Sequence, residues 1–89
     1  MINIENKIEK LITGPIENLG YELYDVEYVK EGKDYFLRIY IDSKSGISID
    51  DCERVNNEIT DLLDEADYIK DQYFLEVSST RSRESFKKG

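Results

Sequence analysis

Apolar residues recur at Ile4, Ile8, Leu11, Ile12, Pro15, Ile16 and Leu19. This spacing of three and four places them on one stripe of an amphipathic helix. Gly14-Pro15 interrupts the stripe, and a proline lacks an N–H and crowds the turn before it, so a kink or short break is expected there. Gly20 suits the position just past the helix end.

The period then changes from helical to two. In residues 35–42, Tyr35, Leu37, Ile39 and Ile41 alternate with Phe36, Arg38, Tyr40 and Asp42. In residues 21–29, Tyr24, Val26 and Tyr28 alternate with Leu23, Asp25 and Glu27. Lys30 to Asp34, with Gly32 inside, reads as a hairpin loop, which makes these two strands antiparallel neighbours.

Asp42-Ser43-Lys44-Ser45-Gly46 reads as a turn. Ser48 stands three residues before Asp51, an approximate capping box, and Asp50 and Asp51 suit a first helical turn. Cys52, Val55, Ile59, Leu62 and Leu63 form the stripe of this second helix, expected to end near Asp64. A polar connection leads to a third strand, Tyr73 to Ser79, with Tyr73, Leu75 and Val77 facing one way.

The order α-β-β-α-β, with one apolar stripe per helix and one apolar sheet face, predicts an α+β two-layer sandwich. Both helices cover the same face of a three-stranded sheet. A right-handed crossover through the second helix is expected to place the third strand beside the first, giving the order 2-1-3.

The opposite face then has no helix to cover it. It carries Phe36, Tyr40 and Phe74 among Asp25, Glu27, Arg38 and Glu76. Exposed clustered aromatics mark contact surfaces, although Phe36 and Phe74 could equally serve by packing across the strands. Base stacking on such a face is disfavoured by the interleaved carboxylates.

Charge sharpens this picture. The chain of 89 residues carries a net charge of −8. Arg81, Arg83, Lys87 and Lys88 against Glu84 make residues 80–89 locally basic at +3, which leaves −11 for residues 1–79. Such a domain repels phosphate backbones and attracts basic proteins. Residues 1–79 therefore read as the domain, and residues 80–89 as a basic tail without order.

Candidate chemistry is sparse. The chain has no His, and Cys52 is its single cysteine, on the apolar stripe of its helix, where a buried inert thiol is expected. No disulfide can form within the chain, which fits a cytoplasmic address. The acids from Asp50 to Asp67 fit a solvated helix face and caps, and the Asp42–Gly46 turn lacks calcium-loop spacing. No phosphate-binding glycine loop, signal peptide or membrane span is expected from these patterns. No catalytic residue, cofactor or metal is expected.

Several ordered segments resemble the bacterial ribosome maturation factor RimP family: Leu37-Arg38-Ile39-Tyr40-Ile41-Asp42, Gly46 to Cys52, Leu63-Asp64, and Tyr73 to Ser79. Ile12-Thr13-Gly14-Pro15-Ile16-Glu17 and Leu19-Gly20-Tyr21-Glu22-Leu23 are similar as well. The resemblance covers residues 1–79, the family's N-terminal domain. It implies a cytoplasmic, monomeric, non-catalytic factor that assists assembly of the small (30S) ribosomal subunit by binding. It also implies a partner among basic ribosomal proteins such as S12, which the family's second, C-terminal SH3-like barrel is associated with; such a barrel is not expected within these 89 residues.

Carried over onto matching positions, Asp42, Gly46, Asp51, Glu76, Ser78 and Ser79 become candidate partner-binding residues, beside Phe36, Tyr40 and Phe74 of the open face. The departure begins at Thr80. The family continues with Pro-Gly, whereas this chain has Thr80-Arg81-Ser82-Arg83, a change that a one-nucleotide frame shift would produce and that the coding DNA would test. The alternative reading is a small ferredoxin-like interaction or ligand-sensing domain that self-associates through the sheet face.

Overall fold

The chain begins its first helix, α1, at Ile4 because Asn3 caps it: the Asn3 side chain accepts the Asn6 N–H at 2.8 Å. The computed structural model describes residues 3–79 and the backbone of residues 85–88. Helix α1 runs Ile4–Asn18 with Pro15 inside it, so the expected break is not there. Pro15 brings no N–H to the Leu11 carbonyl, but Ile12 and Ile16, both fully buried, hold the helix on either side of it.

Helix α1 ends in a Schellman motif. Tyr21 N–H donates to the Ile16 carbonyl (3.2 Å), Gly20 N–H donates to the Glu17 carbonyl (3.0 Å), and Gly20 takes φ +95. This reversal delivers the chain directly into β1 (Glu22–Glu31), which pairs antiparallel with β2 (Asp34–Asp42). The two strands are longer than the alternation predicts, because the connection is only Gly32-Lys33, with Gly32 at φ +66 in the first turn position. A register shift between Leu23 and Asp25 turns Tyr24 outward to 71% exposure, although the alternation groups it with Val26 and Tyr28.

Helix α2 (Ile49–Ala66) starts in a full capping box between Ser48 and Asp51 and ends two residues later than expected, with Asp67 in the left-handed region at φ 53. Strand β3 is Tyr73–Ser79, as the pattern predicts. A fourth strand, β4 (Ser85–Lys88), pairs antiparallel with β3. The basic tail expected to lack order therefore contains a strand; residues 80–84 and 89 lie outside the described residues.

Strand order is β1-β2-β3-β4, with β2 and β3 parallel. This corrects the expected 2-1-3: β3 lies beside β2, not β1. Crossover handedness fixes the flank on which β3 lands only once it is known which sheet face the helix covers. Alternation in β2 identifies the residues facing the helices. It leaves open whether those residues turn their N–H and C=O groups towards β1 or away from it.

The helices share one face of the sheet. Ile8, Ile12 and Ile16 of α1 and Cys52, Val55, Ile59 and Leu63 of α2 form one core with Val26, Leu37, Ile39, Ile41, Leu75 and Val77. Helix α1 packs on β1, α2 on β3 and β4, and the helices touch each other. Each fully buried Ile or Leu contributes about 2 kcal/mol of apolar transfer, which is what holds the helices to this side. The α+β two-layer class follows from it.

Candidate functional site: the uncovered sheet face

The strand register sorts the outward side chains into rows. Phe36 stands beside Phe74, Arg38 lies between Glu27 and Glu76, and Tyr40 lies between Asp25 and Ser78. The site residues Phe36, Tyr40, Phe74, Glu76 and Ser78 are therefore brought together on one face, with Asp42 at the end of β2. The Phe36 and Phe74 rings lie 5.5 Å apart, tilted by 31°, and Phe74 is 36% exposed.

Arg38 organises the centre of the face. Its Nε donates to Glu76 Oε1 (3.4 Å), its Nη2 donates to Glu31 Oε1 (3.2 Å), and its guanidinium lies 5.3 Å from the Phe36 ring centre. Glu76 is almost fully buried, and such a carboxylate is stable there only with a cation or donors around it. In the next row, the Tyr40 hydroxyl donates to Glu27 Oε1 at 2.8 Å. Burial, and then this bond to a carboxylate, hold the Tyr40 phenol above its ordinary pKa.

The remaining candidates sit elsewhere. Gly46 takes φ +89 in the β2–α2 turn, where its N–H donates to the Ser43 carbonyl (3.1 Å), and Asp42 Oδ1 accepts the Ser43 N–H (2.8 Å). A side chain at Gly46 would be strained, so turn geometry accounts for this residue. Asp51 is the capping-box acid of α2 and also accepts the Tyr21 hydroxyl at 2.5 Å. The Tyr21 bond, then the Ser48 backbone N–H, hold the Asp51 carboxyl below its ordinary range against the opposing effect of burial. Ser79 is buried opposite Ile41, on the helix side of the sheet.

Sequence reasoning placed Arg38 on this face without giving it a role. The signal was there: it is the sole cation at the outward strand positions of β1 to β3, among Asp25, Glu27, Glu31 and Glu76. The Tyr21–Asp51 bond joins residues thirty positions apart and had no local signature. An open cleft of about 680 Å³ lies where the C-terminal end of α2 meets the starts of β2 and β3, lined in part by Asp34, Tyr35, Asp64, Asp71, Tyr73 and Phe74. Among the described residues, no three His, Cys, Asp or Glu side chains are grouped so as to hold a metal ion. Among the described residues, no helix is long and apolar enough to cross a membrane.

This arrangement presents fixed negative charge and aromatic surface, a chemistry suited to holding cationic groups. Residues 11–80 match the family model of the RimP N-terminal domain. That span covers most of the chain and takes in α1 from Leu11, the hairpin, α2 and β3, so the chain belongs to the RimP family and carries a ribosome maturation factor-like domain.

Proposed function

We propose that this chain assists maturation of the small (30S) ribosomal subunit in the cytoplasm, as a monomer that acts by binding and catalyses no reaction. The observation that carries this reading is the family match over residues 11–80. Charge agrees with it: at a net −8, the chain is drawn to the basic proteins of the ribosome and repelled by its RNA. Its partners on this reading are basic ribosomal proteins, of which S12 is the one that the family resemblance suggests. Direct RNA binding plays no part.

Co-sedimentation with 30S precursors tests the proposal. Association that weakens as salt rises is the expected result, because exposed charge pairs are screened. The exposure of Phe74 beside Phe36 favours a second reading, self-association through the sheet face in a small interaction or ligand-sensing domain. A dimer that persists in high salt, with no sedimentation alongside 30S precursors, would replace the first reading with the second.

A further inference from the structure

We propose that the uncovered sheet face is a docking surface for an extended, arginine- or lysine-rich protein segment. The proposal rests on the assembly reading for its biological partner, but the surface chemistry stands by itself. At the outward positions of β1, β2 and β3, Arg38 is outnumbered by Glu22, Asp25, Glu27, Glu31, Asp34 and Asp42, with Glu76 beside it in β3. Residues on one face of a strand repeat about every 7 Å, which is also the repeat of alternate side chains in an extended peptide. A segment lying along β1 thus meets a carboxylate with nearly every second residue.

Arg38 shows what the face does with a guanidinium. The group is held by two carboxylates, with the Phe36 ring 5.3 Å away. Phe74, 5.5 Å from Phe36 and 36% exposed, extends that apolar floor for an incoming side chain. Charge alone does not single out this face. Helix α2 is equally acidic, with Glu53, Glu58 and Glu65 exposed against Arg54, but it has no aromatic residue. What distinguishes the sheet is carboxylates and rings together. Nucleic acid, a polyanion, is excluded by the same charges.

The test uses a labelled ten-residue peptide of alternating arginine and glycine, matching β1 in length. Binding by fluorescence anisotropy is compared for the unaltered chain, the triple variant Asp25→Asn, Glu27→Gln, Glu31→Gln, the single variant Phe74→Ala, and the helix variant Glu53→Gln, Glu58→Gln, Glu65→Gln. The sheet substitutions keep acceptor oxygens for the Val26 N–H, the Tyr40 hydroxyl and Arg38. The sheet triple is expected to weaken binding about tenfold, Phe74→Ala about fivefold, and the helix triple twofold at most.

Amide shifts on adding the peptide to the unaltered chain give a readout independent of variant folding, and are expected in β1, β2 and β3. Equal losses in sheet and helix variants, shifts confined to α2, or no binding would overturn the proposal. So would an oligouridylate, or a second copy of the chain, occupying the same strands. Peptide binding on the sheet without 30S association sinks the assembly reading alone; 30S association unaffected by the sheet triple sinks the docking surface alone.

Discussion

The Tyr21 hydroxyl donates to Asp51 Oδ1 at 2.5 Å, tying the start of β1 to the first turn of α2. Arg54 Nη1 in turn donates to the same hydroxyl at 3.0 Å. Tyr21 is buried, so its hydroxyl must find a partner inside the fold. Tyr21→Phe keeps the ring and removes only the hydroxyl with its two bonds, to Asp51 and from Arg54, and it is expected to destabilise the chain by about 1.5 kcal/mol in urea unfolding, since the lost acceptor is charged. Arg54→Ala, which removes a mostly exposed group, is expected to cost less than about 0.5 kcal/mol.

Acid should expose the same cluster. The Tyr21 hydroxyl, and after it the Ser48 N–H, favour the charged form of Asp51, so its folded pKa lies below the unfolded one. A depressed carboxylate contributes stability that is present above the unfolded pKa of about 4 and is lost as pH falls through the folded value. Asp51→Asn should therefore be less stable than the unaltered chain by about 1 kcal/mol at neutral pH, with the difference closing below about pH 4. Thermal melts across that range measure it. A gap that stays constant down to pH 2 would show that Asp51 acts only through cap geometry.

Much of this architecture was readable from single residues. Ser48 and Asp51 announced α2, and the alternation through Leu37, Ile39 and Ile41 identified the core side of β2. It also placed Phe36, Tyr40, Phe74 and Glu76 together on the far side. What could not be read depends on partners distant in sequence. The flank that receives β3 depends on which way the β2 amides point. The exposure of Tyr24 depends on a register shift that no residue type signals. The continuity of α1 through Pro15 is decided by burial of Ile12 and Ile16, where the local rule favours a break.

Arg38 and Glu76 should be coupled. The Glu76 side chain is only 11% exposed, and Arg38 Nε reaches it at 3.4 Å. Removing Arg38 takes a charged hydrogen-bond donor away from this nearly buried carboxylate, so Arg38→Met is expected to cost about 1.5 kcal/mol. Glu76→Gln neutralises the same site, and the double variant should be more stable than the two single losses predict by about 1 kcal/mol. A double-mutant cycle in urea measures that difference. Simple additivity would mean that the two side chains are neighbours without interaction.

Glu5 guards the open edge of the sheet. Strand β1 ends the strand order, and its Tyr28 N–H donates to Glu5 Oε2 at 2.8 Å, while the Val26 N–H donates to its neighbour Asp25. Edge amides left bare invite another strand, so these carboxylates blunt the edge. Glu5→Ala is expected to speed amide exchange at Tyr28 about fivefold to tenfold and to raise self-association at high concentration, whereas Glu5→Gln keeps an acceptor and changes both less. Sedimentation of the two variants, with exchange read by NMR, separates loss of the guard from a general loosening of α1.

Asn56 breaks the pattern of its helix. It is fully buried with Cys52, Val55, Ile59 and Leu63, yet neither its Oδ1 nor its Nδ2 has a hydrogen-bond partner. Its backbone carbonyl remains useful, accepting the Thr60 hydroxyl at 2.7 Å. A buried amide without partners loses its hydration and gains nothing in return. Asn56→Leu keeps the branching and heavy-atom count of the side chain, with somewhat bulkier methyl ends, and removes that loss; leucine is also the better helix former, so the substitution should stabilise the chain by about 1 kcal/mol. Asn56→Asp should have the opposite sign and be larger, because it buries a charge. If calorimetry finds Asn56→Leu destabilising, the amide is satisfied in solution, and this flank of α2 is wetter than its burial implies.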